Sequence, residues 1–276
     1  MERKKISIAI PKYKICTAAV VIVAAALFLW QMSGTQLELS VTGVYPLRLA
    51  AFLCLLFLAP VCVCILMPES GQRAGGRCLF VYMILFLYSL FQMFYYENYV
   101  GRTPDELQHI SYIAYLEEKD VLIPDFTEMI SAAYLPETSA LDDVWRLDWT
   151  NEEINYLGHP PLYYQIMRLA KAIYFESDGD VCVVNIARLR RFSMGIEVFA
   201  ILLIFYIGFT RLDQRKPCLH LLYALLTTSV PMMLYGAGGI SNDTLALLTV
   251  TVYFLGILRF VEQKRDIKTY LLIAVG

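Results

Sequence analysis

CLFVYMILFLYSLFQMFYY (residues 78–96) runs for nineteen positions without Asp, Glu, Lys, Arg or His, and seven residues later comes Thr103-Pro104-Asp105-Glu106-Leu107-Gln108-His109. A helix rises about 1.5 Å per residue, so roughly twenty apolar residues cross a hydrocarbon core of about 30 Å. The run therefore reads as a membrane span, and the polar stretch after it as the start of a loop at the membrane surface. Outward in both directions the pattern repeats, with further apolar blocks at 15–32, 47–67, 192–210, 219–237 and 244–261. The bulk numbers agree: 58% of the 276 residues are hydrophobic and 17% charged, against about 45–50% and about 25% in a soluble domain. The expected fold is an all-α, polytopic transmembrane helix bundle of about six complete spans with a partly helical extracytoplasmic loop. It divides into a transmembrane region (1–96), the loop (97–191) and a second transmembrane region (192–276). A truncated seventh span begins at Thr269 and stops at Gly276, so the protein is expected to continue past that residue.

The N-terminus, Met1-Glu2-Arg3-Lys4-Lys5 and then an apolar run, also has the outline of a signal peptide. The length of the run and the lack of a small-x-small cleavage site favour a retained signal anchor. Five of the seven cysteines (Cys16, Cys54, Cys62, Cys64 and Cys78) lie in or beside apolar spans, which argues against a disulfide framework.

Orientation follows from Lys and Arg in the short connections. Arg3, Lys4, Lys5, Lys12 and Lys14, then Arg73 and Arg77, then Arg211, Arg215 and Lys216, then Lys264, Arg265 and Lys268 fall on one side, whereas 33–46 and 236–243 have neither residue. The protein is expected in the cell membrane with its N-terminus cytoplasmic and 97–191 extracytoplasmic. Arg188, Arg190 and Arg191 run against this bias.

The loop has the periodicity of folded structure. Thr103-Pro104-Asp105-Glu106 has the form of a helix start, and Ile110, Ile113 and Leu116 then share one face of a short amphipathic helix. A second helix is expected from Pro160-Pro161 through Leu162, Ile166, Leu169 and Ile173, suited to a bilayer surface. Residues 117–153 carry eleven acids against Lys119 and Arg146.

Polar clusters gather on the outer side. In the first, Asp105 and His109 are spaced i, i+4 on a helix, where a carboxylate acts as general base or, with His109, holds a divalent metal. Acids in a first helical turn also simply complement the helix dipole. The second is Asn155-Tyr156-Leu157-Gly158-His159-Pro160-Pro161-Leu162-Tyr163-Tyr164, whose Gly-His-Pro-Pro turn is rigid and projects His159 near a helix start, or is equally a well-made turn with a surface histidine. The third, Gly238-Gly239-Ile240-Ser241-Asn242-Asp243-Thr244, reads as an N-cap or as an anion site opposed by Asp243. Arg188, Arg190 and Arg191 are placed either to grip a lipid-linked phosphate or to snorkel to head groups.

In this order the clusters resemble the GT-C glycosyltransferases, polytopic enzymes that use polyprenyl-phosphate sugars. The closest likeness is to bacterial relatives of the protein O-mannosyltransferases that share a Pro-Asp-Glu-x-x-His pattern. The likeness covers roughly 78–261. It implies inverting hexosyl or pentosyl transfer from a polyprenyl-phosphate-linked sugar to an extracytoplasmic acceptor (a cell-envelope glycan, lipid or protein) at the face of the lipid bilayer. By position, Asp105 and Glu106 become the catalytic acids, His109, His159, Asn242 and Asp243 substrate-binding residues, and Arg188, Arg190 and Arg191 phosphate ligands. A divalent metal, Mg or Mn, would sit on Asp105 and His109. The chain departs from the family in placing its acidic loop after the third span, where the family usually places it after the first.

No Gly-rich phosphate loop is present, and no nucleic-acid partner is expected. A transporter is the competing class and would carry ionisable groups within its spans; Glu197 is the one residue that fits it. A membrane scaffold with a binding loop is the third.

Overall fold

The computed structural model describes residues 74–99, 102–228 and 230–276. The expected spans 15–32 and 47–67 lie outside these residues. The described elements, in order, are α1 (Ala74–Tyr99), α2 (Glu106–Lys119), β1 (Ala133–Tyr134), β2 (Val144–Asp148), α3 (Leu162–Arg168), β3 (Ile173–Phe175), β4 (Val181–Asn185), α4 (Ile186–Arg211), α5 (Pro217–Thr228), α6 (Pro231–Ala237), α7 (Asp243–Val261) and α8 (Ile267–Val275).

Three of these contain a stretch long and apolar enough to cross a membrane: Gly75–Glu97 in α1, Ile186–Arg211 and Asp243–Val261. They match the expected spans 78–96, 192–210 and 244–261. A total of about six is not supported. The expected span 219–237 is broken: α5 ends at Thr228, Val230 is extended (φ −86°, ψ 96°), and α6 restarts with Pro231 at its first position. Proline cannot donate to the preceding turn, and it disfavours helical geometry in the residue before it.

The fold is mostly helical but not all-α. Between α1 and α4 lies a four-stranded antiparallel sheet of order β1-β2-β4-β3. Its strands are short, and β4 reads VCVVN, a run whose branched side chains suit a pleated, half-buried surface. Trp145 and Leu147 alternate inward from β2 and pair with Val184 and Cys182 of β4. The second expected helix is real but stops at Arg168. Lys171 turns the chain with a left-handed φ of 49°, and Ile173 enters β3.

Packing divides the chain into two units. In the first, the described residues are 74–88 and 205–228. There the phenol of Tyr82 meets His220 Nδ1 at 3.0 Å, and Gly208 lets the Tyr82 and Tyr223 side chains approach its backbone, since a Cβ there would lie 2.4 Å from each.

The second unit, Ser89–Ile204 with Val230–Gly276, holds the sheet and all three polar clusters. Its core is built on α2. The expected face of Ile110, Ile113 and Leu116 is fully buried, but so are Tyr112, Ala114 and Tyr115, so the helix is a core element rather than a surface amphipath. Tyr112 stacks on Tyr164 of α3 with ring centroids 3.8 Å apart. Arg168 ties α3 back to α2 through Glu117 (2.9 Å) and Asp120 (2.7 Å).

Candidate functional site

The sequence offers two adjacent acids, Asp105 and Glu106, and the fold treats them oppositely. Glu106 is buried against Arg190, whose Nε and Nη2 donate to its two carboxylate oxygens at 2.8 and 2.6 Å. The backbone N–H of Ile240 donates to Oε1 at 3.2 Å, and that of Thr103 to Oε2 at 3.1 Å. The Thr103 contact ties the first residue of the helix back to the N–H three residues before it. Arg190 also donates to the Glu97 carbonyl (3.1 Å) and lies over the Trp145 ring, 5.2 Å from its centroid. Next to it, Arg191 pairs with the carboxylate of Glu97 at 3.2 Å.

This knot draws distant segments together. Gly238 packs where a Cβ would lie 2.7 Å from Tyr96 Cβ and 2.9 Å from the Glu97 backbone nitrogen, and Gly239 where a Cβ would lie 2.3 Å from Thr103 Oγ1. The glycines of the third cluster are therefore needed for close approach, which brings the Ile240 N–H to Glu106.

Asp105 is exposed. It caps α2 with a left-handed backbone (φ 57°, ψ 8°) and makes no side-chain cap bond. It stands at the mouth of the helix, where the His109 N–H donates to its carbonyl at 3.0 Å and its carboxylate acts electrostatically on the His109 imidazole. Its carboxylate accepts a short hydrogen bond from the Tyr156 phenol, which holds that phenol's pKa above its ordinary value. His109 is buried, its Nδ1 2.9 Å from the Tyr164 hydroxyl. Burial, reinforced by His159, lowers its pKa to about 4 against the pull of Asp105 and Asp243. The imidazole is neutral at physiological pH and exchanges hydrogen bonds, not charge. His159 lies nearly parallel to it at 6.0 Å between ring centroids, while its carbonyl accepts from Tyr112 at 3.0 Å.

The two tyrosines of the second cluster connect it to the others. Tyr164 reaches His109, and the Tyr163 hydroxyl lies 3.0 Å from Ser193 Oγ, itself 3.4 Å from Thr244 Oγ1. In the third cluster Asn242 precedes α7 without capping it through its side chain. Ser241 Oγ accepts instead from the Asp243 N–H at 3.2 Å. Asp243 is exposed and close enough to His109, Tyr164 and Glu197 to act on each electrostatically.

The three clusters thus converge, but their residues divide between a buried ion-paired tie (Glu106, Arg190) and a group without ion pairs, in which the exposed Asp105 and Asp243 and the half-buried His159 surround the buried, neutral His109. Of the three arginines, Arg190 is consumed by the tie. Arg191 is 54% exposed beside Glu97, and Arg188 is exposed, its Nη1 3.3 Å from the Lys171 carbonyl. Among the described residues no three His, Cys, Asp or Glu side chains are grouped to hold a metal ion, so Asp105 and His109 are not joined by a third such ligand. No family model, no curated protein and no solved structure matches the chain.

Sequence reasoning passed over Glu97, Tyr156, Tyr163, Tyr164 and Ser193 as site residues. The tyrosines stood inside quoted motifs, and the buried pair Tyr163 and Tyr164 could have been found there, because a buried phenol requires a partner. Glu97 and Ser193 carried no local signal.

Proposed function

We propose that the chain is a membrane glycosyltransferase that moves a sugar from a polyprenyl-phosphate donor to an acceptor hydroxyl outside the cytoplasm. In this reading the N-terminus is cytoplasmic and 97–191 faces out, as the Lys and Arg bias supports. The observation that carries the reading is the state of Asp105. It is a solvent-facing carboxylate, held by Tyr156 and flanked by a neutral His109, where three separated polar motifs meet. A general base needs that access and freedom from a fixed counter-charge. Glu106, with four donors on its carboxylate, supports the site as scaffold.

Asp105 takes the proton of the acceptor hydroxyl as that oxygen attacks the anomeric carbon from the face opposite the lipid phosphate. The bond from the anomeric carbon to the phosphate oxygen breaks, and the electron pair leaves with the phosphate. Of the three arginines, Arg188 and the Glu97-paired Arg191 are exposed and can meet the departing anion. No step is routed through a metal.

The test is transfer from a panel of radiolabelled polyprenyl-phosphate sugars by membranes containing the parent or Asp105→Asn. A positioned general base contributes about 10²–10⁴-fold, so transfer by the parent and a loss of that order at equal protein level is expected. Equal rates would remove Asp105 from the chemistry. A parent inactive with every donor would sink the assignment.

A further inference from the structure

Glu197 is the one carboxylate in the interior of the three apolar spans, about three turns into α4. It is 1% exposed, and its Oε1 has no hydrogen-bond partner among the described residues. Three other acids of the same unit are met: Glu106 by four donors, Glu97 by Arg191, Asp105 by Tyr156. A buried polar atom left alone calls for a specific explanation, a bound ion among them.

The surroundings of Glu197 are rich in oxygen and poor in positive charge. Asp243, at the start of α7, is its electrostatic neighbour and has no ion pair among the described residues. Arg190, two turns earlier on the same face of α4, is committed to Glu106 and to the Glu97 carbonyl. Ser193, one turn earlier on that face, has its hydroxyl 3.4 Å from Thr244 Oγ1, and Thr244 in turn donates to the Ser241 carbonyl at 3.0 Å. Between α6 and α7 the chain is non-helical from Gly238 to Asn242. Glu197 is buried without a counter-charge and Asp243 adds a second negative charge beside it, so one cation between them offsets both the burial and the repulsion. Carboxylate, hydroxyl and carbonyl oxygens select hard ions. With two acids and no third His, Cys, Asp or Glu grouped with them, a single positive charge fits better than a divalent metal.

We propose that Glu197 and Asp243, with the hydroxyls of Ser193 and Thr244, bind a monovalent metal cation.

The proposal is independent of sugar transfer, and ion binding tests it directly. Purified full-length protein in lipid nanodiscs is titrated with ²²Na⁺ and, separately, ⁸⁶Rb⁺, each with and without Mg²⁺. Saturable binding of one ion per chain is expected for at least one of the two, weakened at least tenfold in both Glu197→Gln and Asp243→Asn. Absence of saturable binding of either ion overturns the proposal. So does parent-like affinity in either variant, or displacement by an equal concentration of Mg²⁺. Glu197→Gln is nearly isosteric; should a variant fail to fold, the parent alone decides. Labelling of Glu197 by a hydrophobic carbodiimide must then fall at least fivefold when the bound ion is present, and unchanged labelling refutes the site.

Discussion

Asp105 and Glu106 are covalent neighbours with identical charge, yet they belong to two regions that obey different physics. The Glu106 carboxylate is dry and fully met, by a bidentate arginine that lies over an indole face and by two backbone N–H groups. Around Asp105 the polar groups are exposed or neutral and hold one another by single hydrogen bonds. Sequence proximity to a motif therefore says little about role; access to water and the number of fixed donors separate scaffold from site. The comparison is broken most directly at the knot. Removing one partner of a buried ion pair leaves the other charge uncompensated and costs about 3–5 kcal/mol. Arg190→Ala should lose that much in chemical unfolding of the detergent-solubilised protein. Replacing Glu106 and Arg190 together by leucine should cost less than the sum of the single changes. A loss under about 1 kcal/mol for Arg190→Ala, the range of an exposed pair, would remove the distinction between the two regions.

The region around Asp105 has its own signature, in pH, through the buried His109. His109 has a folded pKa of about 4 against an ordinary 6.5. Between those values the unfolded chain binds a proton that the folded chain refuses. The stability contributed by a neutral His109 is thus fully present above about pH 6.5 and is lost as the pH falls towards 4, on the order of 3 kcal/mol in all. Unfolding midpoints measured from pH 7 to pH 4 should fall accordingly, and His109→Asn should flatten that part of the curve. An unchanged slope in the variant would mean that the acid sensitivity originates elsewhere.

Where the two regions meet, Gly239 touches Thr103 so closely that any side chain must displace it. Overpacking of this kind costs about 1–3 kcal/mol. Gly239→Ala should fall in that range by thermal melting. Thr103→Ala, which removes the two nearest atoms, should recover part of the loss in the double variant. No recovery would mean that the backbone itself requires glycine there.

What could be read from the sequence follows the range of each interaction. The spans at 78–96, 192–210 and 244–261 were legible because apolarity over twenty residues is a local property. The break near Val230 was signalled by Pro231 and overlooked inside an otherwise apolar run. The VCVVN strand was also legible, but a helix extended past Arg168 to Ile173 concealed the sheet beside it. Glu106 and Arg190 are 84 positions apart, and no spacing rule pairs them. The convergence of the clusters was foreshadowed by their order, whereas the division into tie and site depends on burial that only the folded chain reveals.

The smallest expected effect bears most directly on Asp105. Its φ of 57° lies in the left-handed region, which Asp and Asn tolerate and glycine occupies freely. Such a backbone at an exposed polar residue often marks a functional position. Asp105→Asn keeps the conformational tolerance and an oxygen for Tyr156, so stability should move by under about 0.5 kcal/mol, the scale of a surface change. Asp105→Gly loses the hydrogen bond but relaxes the backbone, and the two effects should cancel to within about 1 kcal/mol. Asp105→Val places a branched side chain in the wrong region and should lose about 1–2 kcal/mol. Near-wild-type melting of the Asn and Gly variants, with transfer abolished in both, would place Asp105 in chemistry and Glu106 in architecture. If Asp105→Gly instead melts like Arg190→Ala, the two neighbours share one structural role and the exposed carboxylate is no candidate base.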